Sequence, residues 1–191
     1  MSVFSIGTIN VVKSIDHVYK AENGVYVQSN DPADKGDLIE WVVKVTIPNN
    51  SYANSFIDTQ KKIKVVDQLP QWANYYDYYQ PDQFKGKYDQ STHLVSWEFD
   101  APTIDEQKVI SASGNLFEKE VKIYLVIDGN TPNYTTLKNN AKASYYPLGS
   151  SNALIDTAES HVYIGNELNS VDNPNGVYIH GTHEGPLDSV G

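Results

Sequence analysis

The chain has 191 residues, a formal net charge of −10, no cysteine, and 40% hydrophobic residues. That length and apolar fraction suit one packed sandwich domain with a tail and argue against disorder. The acidity disfavours nucleic acid and anionic lipid as partners, no apolar run is long enough for a membrane span, and the missing cysteines fit an extracellular protein made without disulfides.

Met1-Ser2-Val3-Phe4 has neither the basic start nor the apolar stretch of a signal peptide, so the simplest reading is a piece excised from a longer protein, although a cytoplasmic protein would look the same at this end. Period-two alternation of Val, Ile, Thr and Tyr then dominates, with no helical stripe. In chain order it predicts strands over 8–18, 24–28, 38–47, 61–66, 93–99, 118–127, 137–146 and 160–164. Gly36-Asp37, Pro48-Asn49-Asn50 and Asp128-Gly129-Asn130 mark loops. Residues 51–60 are read as holding a turn of helix, and 109–116 as a short strand or loop. The pattern implies an all-β, antiparallel sandwich over 1–165, with 166–191 as a linker or a small hairpin around Asn175-Gly176.

Alternation also assigns faces. In the first strand Ile9, Val11 and Ile15 share a face, and Lys13 lies among them. In the fourth, Asp67 lies among Ile63, Val65 and Leu69. In the seventh, Asn139 lies among Leu137, Ala141, Ala143 and Tyr145. An isolated buried charge or amide costs several kcal/mol, so three such residues make sense if they meet. Burial lowers a lysine pKa and raises that of an aspartate. A neutral Lys13 amine is then a nucleophile, and a protonated Asp67 can polarise the Asn139 carboxamide. Attack would expel ammonia and leave an amide crosslink. A plain Lys13–Asp67 ion pair with Asn139 as a bystander is the alternative, as is a Lys13 that reaches out past the sheet edge.

The stretches Val11-Val12-Lys13-Ser14-Ile15, Gly36-Asp37 before Trp41-Val42-Val43-Lys44-Val45, Val66-Asp67-Gln68-Leu69-Pro70, Val95-Ser96-Trp97 and Leu137-Lys138-Asn139-Asn140-Ala141 occur in a telling order. Over residues 8–165 the chain resembles the isopeptide-forming domains of Gram-positive fimbrial shaft proteins and related cell-wall adhesins. The resemblance implies an immunoglobulin-like sandwich of the fimbrial or Cna type. It implies a bond between Lys13 and Asn139, with Asp67 as the acid. Glu40 is the alternative acid, although its face partners Leu38, Val42 and Lys44 lie opposite the core-like Ile39, Trp41 and Val43. The resemblance further implies a wall-attached extracellular location. Partners would be neighbouring domains of the same protein or pilus subunits, with host matrix or glycan as a further class. Gly185-Pro186-Leu187-Asp188-Ser189 departs from an LPxTG-type sorting motif, and no polymerisation lysine motif is evident.

The segment 74–88 offers a second function, because Tyr75, Tyr76, Tyr78 and Tyr79 stand among short polar residues as in a sugar- or protein-binding surface. Packing over the end of the sandwich is the simpler reading. Asp31, Asp34 and Asp37 do not follow a calcium-loop spacing and read as a solvated acidic loop. His161, His180 and His183 read as surface histidines, and Asp105, Glu106, Glu118 and Glu120 as loop or solvent acids. With no phosphate loop, GxSxG or HExxH, neither a cofactor nor a metal is expected, nor an enzyme acting on other molecules.

Overall fold

The computed structural model describes residues 8–49, 56–77 and 85–165, and the backbone of 177–178. The elements are β1 (Asn10–Glu22), β2 (Val25–Ser29), β3 (Leu38–Pro48), β4 (Ile63–Gln68), β5 (Ala73–Tyr75), β6 (Lys87–Asp89), β7 (Leu94–Phe99), α1 (Ile104–Lys108), β8 (Asn115–Ile127), β9 (Thr135–Tyr145), β10 (Leu154–Ile164) and β11 (Val177–Tyr178). They form a five-stranded sheet in the order β2-β1-β3-β8-β5 and a six-stranded sheet in the order β11-β10-β9-β4-β7-β6. Every pairing is antiparallel, as the alternation predicts. Odd-numbered β3 residues Ile39, Trp41, Val43 and Val45 face inward against Ile63, Val65, Leu137, Ala143 and Val162 of the other sheet.

Several boundaries differ from the sequence reading, each for a local reason. Gly24 is in a turn and not in β2: Asn23 (φ 51°) and Gly24 (φ 83°) form a two-residue loop that joins β1 to β2. Two positive φ values in a row are what a type I′ hairpin requires, and Asn-Gly supplies them. β1 therefore runs on to Glu22. β10 begins at Leu154, not 160, because its outward residues Ile155, Thr157 and Glu159 are of mixed type and blur the alternation. The short strands β5 and β6 are three residues each, too brief to show a period. Helix α1 carries a capping box in which Thr103 accepts from the Glu106 amide and Glu106 reaches back, so Asp105 and Glu106 belong to a helical first turn. Residues 109–114 form no strand, and β8 starts at Asn115. Of 51–60 only 56 onward is described, and there Ile57 bridges Pro147 without a helix. The expected hairpin at Asn175-Gly176 lies outside the described residues, but β11 pairs with His161 and Val162 of β10.

Two features of β1 matter for the site. A register shift between Ile15 and His17 makes Asp16 an extra residue. Lys13 and Ile15 before the bulge face the core, and Val18 resumes that face after it. The Val11 amide donates to Asp156 Oδ2 of β10 at 2.8 Å, which ties the edge of one sheet to the other.

Gly86 precedes β6 where the chain passes over Trp97. A Cβ there would lie 2.4 Å from Val95 Cγ1 and 2.6 Å from Trp97 Cε2. Val95 and Trp97 are buried and cannot swing away. Gly86→Ala should therefore cost about 1–3 kcal/mol by overpacking, read as a lower midpoint in chemical denaturation.

Candidate functional site

The topology brings the three polar core residues together. β4 and β9 are neighbours, with Asp67 directly opposite Ala141. Asn139 is two residues from Ala141 on the same face, so it is the diagonal neighbour of Asp67. β1 crosses over β9 and β10 from the opposite sheet and lowers Lys13 onto this spot. Lys13 Nζ donates to Asp67 Oδ2, and both side chains are 0% exposed. Asn139 is also 0% exposed.

Electrostatics favour the neutral forms. Burial pulls the Lys13 pKa below its ordinary value, although the charge and hydrogen bond of Asp67 oppose this. Burial likewise pushes the Asp67 carboxyl up, against Lys13 and the Asn139 side chain. Both shifts run toward the uncharged amine and the uncharged acid. The Lys13 nitrogen also stands 5.9 Å from the centroid of the Trp41 ring.

The site is polar but poorly satisfied. The Asn139 carboxamide is near enough to Asp67 to influence its titration, yet neither Oδ1 nor Nδ2 of Asn139 has a hydrogen bond of acceptable geometry. Asp67 Oδ1 and the Trp41 indole Nε1 are also without a partner. Among the described residues, all the buried unpartnered side-chain atoms lie on these three residues.

Glu40 is placed elsewhere. It projects from the outer face of the five-stranded sheet, on the parity the sequence assigns, but it is only 2% exposed. That burial corrects the expectation of a solvent-facing side chain, and its cause is a roof of polar neighbours. His17 Nδ1 lies 3.1 Å and Lys122 Nζ 3.1 Å from Glu40 Oε1, and Tyr19 donates to Oε2 at 3.2 Å. Burial alone would raise its pKa, but hydrogen bonds with Asp16, Tyr124, His17 and Lys122 outweigh it and hold it at about 2. Asp16, His17 and Glu40 present ligand atoms within 4.8 Å of one another, and the Lys122 ammonium bonds to both carboxylates. The sheet separates Glu40 from Lys13, so Asp67 is the acid that meets the amine.

Tyr75 stacks on Tyr88 with centroids 4.5 Å apart, and Tyr76 meets Tyr26 edge-on at 5.6 Å. Both rings are partly buried, and Tyr75 packs against the core. Tyr78 and Tyr79 lie outside the described residues, as do His180 and His183. Asp37 is not solvated: it is buried, bonds to Lys20 and accepts from the Asp34 amide at 2.7 Å. Sequence reasoning passed over Ser160, which is buried directly opposite Asn139 in the β9–β10 ladder. The alternation of Ser160, Val162 and Ile164 could have flagged it.

No family model matches the chain, and no curated protein matches it in sequence. Solved structures do. The 35 kDa C-terminal fragment of the major pilin GBS80 of Streptococcus agalactiae matches with a TM-score of 0.51 and 10% identity, covering 81% of this chain and 56% of that one. Domains D2 and D3 of the major pilin SpaD from Corynebacterium diphtheriae match at 0.47 and 13%, covering 78% and 52%. The collagen-binding domain of a Staphylococcus aureus adhesin matches at 0.39 and 15%, covering 87% and 99%. The chain spans about half the length of the two pilin structures. The likeness to the GBS80 fragment, in two packed antiparallel sheets, shows that this chain has the β-sandwich fold of a Gram-positive pilin domain.

Proposed function

We propose that the chain is a structural and adhesive module of a Gram-positive surface protein or pilus, stabilised by a self-formed isopeptide bond between Lys13 and Asn139 with Asp67 as the acid. The observation that carries this reading is the convergence of the buried unpartnered polar atoms on Asp67, Asn139 and Trp41, beside a buried lysine. Native interiors leave few such groups, and each one is costly. A reaction that removes the Asn139 nitrogen removes one of them.

The chemistry follows from the arrangement. The neutral Lys13 amine attacks the Asn139 carboxamide carbon while protonated Asp67 donates to Oδ1. The new N–C bond forms, the Nζ proton passes by way of Asp67 to the departing nitrogen, and ammonia leaves. The products are one amide and one ammonia, with no oxidant or cofactor. The bond would link the first strand to a late strand in the opposite sheet, so a pull on the termini would load a covalent bond. By the entropy of closing so long a loop it would contribute about 5 kcal/mol. In this reading residues 1–165 are the module and 166–191 a connection. The partners are neighbouring domains or pilus subunits, with host matrix or glycan as a further class. The location is the bacterial exterior, attached to the wall through other parts of the protein, and the chain turns over no external substrate.

The intact mass of purified wild-type protein should be lower than the sequence mass by one ammonia; the unmodified mass would end the crosslink reading. Asp67→Ala should fold but keep the full mass and lose about 5 kcal/mol of stability. If it still loses ammonia, the acid lies elsewhere.

Glu40→Gln should crosslink fully, because Glu40 sits on the other face of its sheet. Its effect should appear in acid. A carboxylate held below its unfolded pKa stabilises fully above that value, and the contribution fades as pH falls through the folded one. For Glu40 that window runs from 4.5 down to about 2. The melting temperature of the Gln variant should fall less steeply across it than that of wild type.

Replacing Tyr75, Tyr76, Tyr78 and Tyr79 together by Ser should lower thermal stability more than it lowers binding to any host surface, since Tyr75 and Tyr76 are already engaged with Tyr88 and Tyr26. Loss of packed ring area should cost about 1–3 kcal/mol. Unchanged melting with abolished adhesion would favour a ligand-binding role for this segment.

A further inference from the structure

The sheet order places Asn139 between two different polar groups. β9 lies between β10 and β4. On the β4 side Asp67 is the diagonal neighbour of Asn139, and on the β10 side Ser160 is its direct partner. Ser160 is buried, and its inward neighbours along β10 are Ala158 and Val162. Its hydroxyl is therefore the polar group that β10 offers at this level. Directly opposed Cβ atoms in an antiparallel pair stand about 4.5–5.5 Å apart, within reach of a hydroxyl–carboxamide hydrogen bond.

A carboxamide has two chemically distinct ends, an accepting oxygen and a donating nitrogen. Attack on the carbon requires Oδ1 to face the Asp67 acid. The opposite flip would turn Nδ2 toward Asp67 and leave the carbonyl unpolarised. Neither Asn139 atom has a hydrogen bond of acceptable geometry in this structure, to Ser160 or to any other group, so the flip is left unset.

We propose that Ser160 is a positioning residue for the crosslinking reaction: as Lys13 attacks, its hydroxyl turns to accept a hydrogen bond from Asn139 Nδ2 and so directs Oδ1 toward Asp67. This rests on the isopeptide reading. Ser160 does not bond to the reacting carbon and supplies no atom to the product. It holds the end of the carboxamide that leaves as ammonia.

The test is the rate of mass loss in freshly made full chain. Wild type, Ser160→Ala, Ser160→Thr and Ser160→Val are produced by cell-free translation and sampled over time by intact mass spectrometry. Ser160→Ala should lose ammonia about tenfold more slowly than wild type, the effect of one hydrogen bond. Ser160→Thr, which keeps the hydroxyl, should approach the wild-type rate. Ser160→Val, of the same size as Thr without the hydroxyl, should be as slow as Ser160→Ala. The Thr and Val pair keeps the comparison valid even where Ala packs poorly. A residue that acted only through packing would slow Thr and Val alike, and that result overturns the proposal. Equal rates for wild type and Ser160→Ala overturn it too, while leaving the crosslink standing. If wild type itself never loses ammonia, the isopeptide reading and this inference fall together.

Discussion

The interaction on which the rest depends is the contact of Lys13 with Asp67 in the space between two sheets. Neither side chain reaches water. In such a place two full charges are costly to desolvate, and their attraction repays the cost only when every remaining valence is satisfied. Here it is not, because Asp67 Oδ1 and both Asn139 side-chain atoms lack partners. The surrounding core makes the problem severe. Trp41, Val43, Val65, Ala141 and Ala143 are essentially closed to solvent and offer no polar atom to the carboxylate apart from the indole Nε1 of Trp41, itself unpartnered. Burial shifts the amine and the acid toward their neutral forms, which are the forms the proposed crosslink requires.

The same constraint explains several features of the scaffold. Lys13 is held by the pairing of β1 to β3 from Asn10 to Tyr19 and by the tie of Val11 to Asp156 of β10. The bulge at Asp16 lies after Lys13, so the change of facing occurs beyond the buried lysine. On the other sheet the register of β4 against β9 sets Asp67 beside Asn139, and a slip of one residue would carry either of them to the solvent face. Placement by ladders is more exact than placement by loops, and all three residues sit within strands.

Most of this was readable from alternation because each of the three residues lies in a strand long enough to show its period. Lys13, Asp67 and Asn139 interrupt apolar faces, and the structure buries each of them. The readable part ended where the period ended. β5 and β6 are too short to show one, and the Asn23-Gly24 turn hid inside a boundary error. The bulge at Asp16 could not be seen either, since inserting one residue leaves a mixed polar sequence looking much the same. Burial of Glu40 was invisible for a different reason. Parity gives the face of a residue but not what covers that face, and His17, Tyr19, Lys122 and Tyr124 arrive there from other strands. Ser160 was missed because a serine on an apolar face is cheap enough to pass as packing.

Glu40 and Asp67 make a controlled comparison within one molecule. Each is a nearly inaccessible carboxylate beside a lysine. Burial tends to raise both pKa values, yet the outcomes are opposite: Glu40 is held at about 2, whereas Asp67 is raised. The difference is the number of donors. Glu40 is met by an imidazole, a phenol and an ammonium on the outer face of its sheet. Asp67 is met by one ammonium, and one of its oxygens is bare. A satisfied carboxylate is inert and holds its three strands together. An unsatisfied one is left under strain, and strand register sets the carboxamide of Asn139 diagonally beside it. Burial alone therefore does not set the two carboxylates apart. What sets them apart is the number of donors each one meets, and for Asp67 the register that places a carboxamide beside it.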